Sequence, residues 1–142
     1  MTDSKLTNQL KQEVRLRAKS CCEYCYSQEK FATHSFSIEH IKPLSKGGES
    51  NFDNLALSCQ GCNNYKYNKT EIQDPVSREI VPIYHPQQQN WQEHFSWNEN
   101  YTLIIGLTPI GRATVELLRL NREGLVNLRR ILYAMGEHPP FS

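Results

Sequence analysis

The chain has 142 residues, 38% hydrophobic and 22% charged, which suits an ordinary globular domain with one modest core. No stretch approaches the roughly 18 apolar residues that a membrane span needs, and residues 1–16 have no apolar leader core, so a cytoplasmic protein with no membrane partner is expected. The net charge of +1 selects no partner by itself, yet the charges are unevenly placed: residues 1–70 hold ten cations against seven anions, and residues 71–142 six against eight. All eight lysines lie between Lys5 and Lys69, so the first half is the better candidate for touching phosphates. The plain alternative is a solvated, lysine-rich surface.

The elements follow in chain order. Residues 5–18 predict a helix, because Leu6, Leu10 and Val14 recur at a spacing of four between charged residues. Cys21 to Cys25 forms a tight knuckle. Phe36 to Ile41 alternates as a short strand, and the stretch from Leu44 to Asn54 holds the loop signal Ser45-Lys46-Gly47-Gly48. Leu55-Ala56-Leu57-Ser58 reads as a second strand. Gln60 to about Thr70 reads as a helix with Asn63, Lys66 and Tyr67 near one face. Asp74-Pro75 is expected to end this unit. Beyond it, residues 80–86 are extended and Gln87 to Asn90 a polar turn. Phe95 to Ile105 predicts a hairpin around Asn98-Glu99-Asn100. Two helices follow, Pro109–Leu120 and Arg122–Met135, the second capped by Asn121 and stopped by Gly136 and Pro139-Pro140. The expected division is a core over residues 1–74 and a C-terminal extension over 75–142.

Five cysteines in a cytoplasmic chain do not suggest disulfides. Cys22-Glu23-Tyr24-Cys25 and Cys59-Gln60-Gly61-Cys62 are two CxxC pairs with 33 residues between them. Each knuckle can turn two sulfurs onto one metal, and four thiolates suit zinc in a tetrahedron at about 2.3 Å. Such a site has no open position, so the zinc would be structural. The alternatives are two reduced knuckles without metal, or a redox pair, which needs only one CxxC. Cys21 has the wrong spacing and is left out as a small packed or exposed residue.

Between the knuckles stand Ile38-Glu39-His40-Ile41-Lys42-Pro43-Leu44-Ser45-Lys46-Gly47-Gly48, then Asn51-Phe52-Asp53-Asn54-Leu55, then Cys62-Asn63. These elements, in this order, resemble the HNH nuclease family, the ββα-metal group, over about residues 14–70. The resemblance implies an α+β fold with a ββα-metal core tied by a zinc double knuckle, the hairpin and two helices of residues 75–142 being an appended part. It also implies a metal-dependent endonuclease that hydrolyses phosphodiester bonds in DNA, double-stranded in the simplest case.

The residue types suit that chemistry. His40 titrates near neutrality and suits a general base. Glu39 and Asn63 offer hard oxygens for a catalytic Mg²⁺ or Mn²⁺. The resemblance gives Asn54 the task of bracing the loop that carries the base. Lys46, with Gly47 and Gly48, is expected near a phosphate, and Lys66 and Lys69 on the helix at the nucleic-acid backbone. The chain departs from the commonest family pattern at Glu39, where Asp is more usual, at Asn63, a frequent alternative to His, and at Tyr67, where some relatives place a second His. Each residue has a plainer reading: a structural His40, surface charge at Glu39, a helix cap at Asn63, a turn residue at Asn54 and solvated lysines.

In the second half, His94 with Trp91, Phe95 and Trp97 reads as core packing, and His34 as exposed. Arg112, Arg119, Arg122, Arg129 and Arg130 form either a basic stripe that grasps DNA or the ordinary charged faces of two amphipathic helices. Two other functions remain open: a non-catalytic zinc module binding nucleic acid or protein, and a related nuclease acting on RNA.

Overall fold

The computed structural model describes residues 6–141. The first helix, α1 (Asn8–Ala18), starts where Thr7 Oγ1 accepts the Leu10 amide at 3.1 Å and ends at Lys19, whose backbone is left-handed (φ 56°). Val14 and Ala18 are buried, with Leu6 and Leu10 packed beside them, so the spacing of four marks the face turned to the core. Lys5, the first residue of the predicted helix, lies outside the described residues.

Strands β1 (Ser37–His40) and β2 (Leu55–Ser58) pair antiparallel, with Glu39 opposite Ala56 and His40 opposite Leu55. All four residues of β2 are buried, which explains its unbroken run of small and apolar side chains. The connection holds two short 3₁₀ turns, Leu44–Lys46 and Phe52–Asn54. Helix α2 (Gln60–Lys66) follows at once and packs on β1, giving the expected order of strand, loop, strand and helix.

Helix α2 stops about one turn earlier than expected, at Lys66, because Tyr67 leaves helical geometry (φ 50°). The chain then forms β3 (Glu71–Gln73), an unforeseen strand, paired antiparallel with β4 (Ile80–Pro82). Asp74, read as the end of a unit, sits in this hairpin's turn. Its carboxylate accepts the Val76 and Ser77 amides and two bonds from Arg112, Nε at 3.1 Å and Nη2 at 2.9 Å.

A one-turn helix α3 (Trp91–His94) leads into the predicted hairpin, β5 (Phe95–Trp97) with β6 (Ile104–Gly106). Helices α4 (Pro109–Leu118) and α5 (Glu123–Ala134) follow. The cap of α5 is Arg122, not Asn121. The Asn121 amide instead holds both backbone groups of Ile104 and accepts from Arg129. The architecture is α+β, built from three small antiparallel pairs and the helices that cover them. One hydrophobic cluster spans position 74, joining Val14, Leu55 and Leu57 to Tyr84, Trp91, Phe95, Ile104 and Leu118. No helix among the described residues is long and apolar enough to cross a membrane.

The Arg112 guanidinium holds the buried Asp74 carboxyl well below the usual carboxylate range. A depressed carboxyl contributes stability above its unfolded value, about 3.9, and loses it as pH falls toward the folded value. Asp74→Asn should therefore melt several degrees below wild type at pH 7. The gap should shrink as pH drops below about 4. Thermal unfolding across a pH series checks this, and a gap that stays constant with pH would count against the role given to Asp74.

Candidate functional site

The sulfur atoms of Cys22, Cys25, Cys59 and Cys62 all lie within 4.8 Å of one another, and all four residues are buried. Cys22 and Cys25 sit in the knuckle after α1, where Tyr26 N donates to Cys22 O. Cys59 caps α2, and its Sγ accepts the Cys62 amide at 3.5 Å. Cys25 Sγ and Cys59 Sγ are 3.7 Å apart. Four sulfurs about 2.3 Å from one zinc stand about 3.8 Å apart, so the donor set fits that metal. Burial pushes the Cys22 thiol up, while hydrogen bonds from Cys22, Cys25 and Cys62 hold the Cys59 thiol down. Four buried thiolates need a cation to coexist. Cys21 lies outside the cluster, buried, with its thiol pushed up to about 11 by burial.

Arg122 reaches the cluster from the other half of the chain. Its Nη2 donates to Cys59 Sγ at 3.3 Å and its Nη1 to Cys62 Sγ at 3.7 Å. A Cβ on Gly61 would stand 2.5 Å from Arg122 Nη2, so the glycine inside the second CxxC is what admits the guanidinium. A Zn(Cys)₄ centre would carry a net charge of about −2, and Arg122 supplies one offsetting cation with directed hydrogen bonds.

On β1 the alternation of side chains separates Glu39 from His40. His40 is half-buried, and its Nε2 shares a hydrogen bond with Ser50 Oγ at 2.7 Å. With Ser50 as the acceptor, Nδ1 carries the free lone pair. Burial pushes the His40 ring below the ordinary histidine value, so it is neutral at neutral pH. Asn54 pins the following loop: its Oδ1 accepts the Lys42 amide, and its Nδ2 donates to Lys42 O and Glu49 O. Gly48 passes so close that a Cβ would lie 1.8 Å from Lys42 O. Its lack of a side chain thus serves the loop's own packing.

Glu39 faces inward at 7% exposure. One carboxylate oxygen accepts from the Tyr24 hydroxyl, and the other lies 3.6 Å from Lys66 Nζ. Burial pushes its carboxyl up against the pull of Lys66 and Tyr24. Lys66, expected on the nucleic-acid face, is 1% exposed and also donates to Ile41 O at 2.8 Å, because it neutralises the buried Glu39. Asn63, one helical turn before Lys66, is half-buried, and its side chain makes no hydrogen bond among the described residues. Asn63 and Glu39 offer donor types that suit a hard divalent cation, on condition that Lys66 yields the Glu39 oxygen. Lys46 and Lys69 are exposed.

The five arginines do not make one exposed stripe: Arg119 and Arg130 are exposed, and the other three are taken up by partners within the structure. Arg129 is 4% exposed and donates to Thr102 O, Leu120 O and Asn121 Oδ1; Arg112 serves Asp74, and Arg122 serves the sulfurs. Only an inward-facing reading of those helices, with the apolar residues between the arginines, would have found this. His94 packs against Tyr84 and bonds Thr108, consistent with a core role, and His34 is exposed. Tyr24, inside the first knuckle, is a partner of Glu39 that its position in a CxxC does not signal.

Residues 22–69 match the family model described as HNH endonuclease. The matched segment begins at the first knuckle and ends beyond α2. No curated protein and no solved structure matches the chain.

Elemental analysis of protein purified without chelator should find one zinc per chain. Arg122→Ala should release that zinc to a chromogenic chelator on the order of tenfold faster, consistent with loss of an outer-shell partner. Cys59→Ser should lose the metal outright, and Cys21→Ser should keep it. Metal-free protein with an intact fold would contradict the assignment.

Proposed function

We propose, from the HNH domain that residues 22–69 form, that the chain is a metal-dependent endonuclease cleaving double-stranded DNA with His40 as general base. The observation that carries the reading is the state of His40. It is neutral, with Nε2 held by Ser50, and it lies directly before a loop that Asn54 fixes at three points. A base must present a free lone pair in a fixed place; with Ser50 Oγ as the acceptor from Nε2, Nδ1 presents that lone pair beside the pinned loop. His40 Nδ1 takes a proton from water as the water oxygen attacks phosphorus. The bond from phosphorus to the 3′ oxygen breaks, and that oxygen leaves with a proton from solvent. A divalent cation held by Asn63 and Glu39 would supply Lewis-acid stabilisation of the phosphate and the leaving oxygen. In this reading residues 1–74 carry the chemistry, while residues 75–142 buttress the zinc site through Arg122 and hold the core closed.

One observation favours a second reading. The Lys66–Glu39 pair already neutralises the carboxylate, as it would in a zinc module that binds nucleic acid without cutting it. Nicking of supercoiled plasmid with and without EDTA separates the two.

His40→Ala should lose on the order of 10²–10⁴-fold in turnover while keeping its affinity for DNA, since a base acts on water in the transition state. Asn63→Ala and Glu39→Ala should raise the concentration of Mg²⁺ or Mn²⁺ required. Wild-type activity should fall on the acid side, with an apparent pKa below the ordinary histidine value of about 6.5, because protonated His40 accepts nothing. Equal cleavage by His40→Ala and wild type would overturn this mechanism.

A further inference from the structure

Beside the site lies a cavity of about 310 Å³. Its lining includes Lys42, Lys46, Lys66 and Lys69, half the lysines of the chain, and no acidic side chain. Lys66 is paired with Glu39, which leaves Lys42, Lys46 and Lys69 as the cations this concave place offers to an anion. The floor is the buried Lys66, whose ammonium is fixed by Ile41 O and Glu39. Lys46 and Lys69 are exposed. The facing wall comes from the C-terminal part, with His85 and Gln88. Gln89 Oε1 accepts the His85 amide, and His85 O accepts the amides of Gln88 and Gln89, so this wall is a closed turn with a set shape.

The cavity's position relative to the reacting groups fixes its use. Ile41 and Lys42 follow His40 directly past the end of β1, and Lys66 stands three residues, a rise of about 4.5 Å, past Asn63 on α2. A group one step along the strand from the scissile phosphate would meet this cavity, and in nucleic acid that group is another phosphate. We propose that the cavity is a subsite for the neighbouring phosphate of the substrate strand, with Lys46 and Lys69 as its rim contacts and the turn at His85–Gln89 as its outer wall. The proposal rests on the nuclease reading for the position of the scissile phosphate. It gives residues 75–142 a second task, that of shaping the substrate channel.

The test is binding of a fluorescently labelled duplex in EDTA, where nothing is cut, over a series of salt concentrations. Each phosphate contact contributes about 0.9 to the slope of log affinity against log salt. The double variant Lys46→Ala/Lys69→Ala should lower that slope by roughly 2 and weaken binding on the order of tenfold at low salt. The exposed control pair Lys30→Ala/Arg130→Ala should leave the slope unchanged. Gln88→Trp, which fills the cavity, should weaken binding with the melting temperature unaltered. A wild-type slope in the double variant, or an equal fall in the control pair, overturns the subsite. Inorganic phosphate in place of chloride at equal ionic strength should displace the duplex no more than chloride does. A stronger displacement, lost in the double variant, would assign the cavity to a free anion instead. Plasmid cleavage by wild type with an unchanged slope in the double variant sinks the subsite and leaves the nuclease reading intact. A reduced slope with no cleavage by wild type does the reverse.

Discussion

Four buried sulfur atoms within 4.8 Å of one another set the terms for the rest of the molecule. Burying that much potential negative charge is unfavourable unless cations answer it. A metal held by the four sulfurs would answer most of it, and Arg122 answers part of what remains. The three groups come from separate places: the end of α1, the start of α2 and the junction of α4 with α5. One local electrostatic requirement thereby joins segments about a hundred residues apart. It also explains why Gly61 lacks a side chain, and why the core runs unbroken across the middle of the chain.

The same requirement recurs on a smaller scale at β1. Strand alternation sends His40 outward and Glu39 inward, so adjacent residues meet opposite environments. Outward, the ring is half-buried, and burial pushes it below the ordinary histidine value. Inward, the carboxylate needs partners and finds Tyr24 and Lys66. The pair Glu39–Lys66 holds the α2–β1 contact, and in the proposed nuclease the same carboxylate would offer an oxygen to a cation. Any ion that takes Glu39 must offset the loss of Lys66 as well as its own dehydration.

Much of this was legible in the residues. The paired CxxC spacing, the alternation before His40, the short apolar run of β2 and the Pro109 start of α4 each carry a local physical signal that the fold keeps. What stayed hidden depends on long-range partners. Glu71-Ile72-Gln73 is too short and polar to announce a strand, and it exists because Ile80–Pro82 pairs with it. Arg129 and Lys66 read as surface charges because such residues are seldom buried, and their burial is decided by carbonyls and carboxylates that sequence proximity does not reveal. Asp74 before Pro75 resembles a boundary, yet its ligand Arg112 lies 38 residues away.

The central claim is that the metal-tied sulfur cluster holds both halves in one structure. Native-state amide hydrogen exchange, before and after a chelator strips the metal, tests it most directly. Loss of protection in β1, β2 and α2, together with α4 and α5, is the predicted result. Full protection throughout in the stripped protein, or loss confined to the two knuckles, would contradict it.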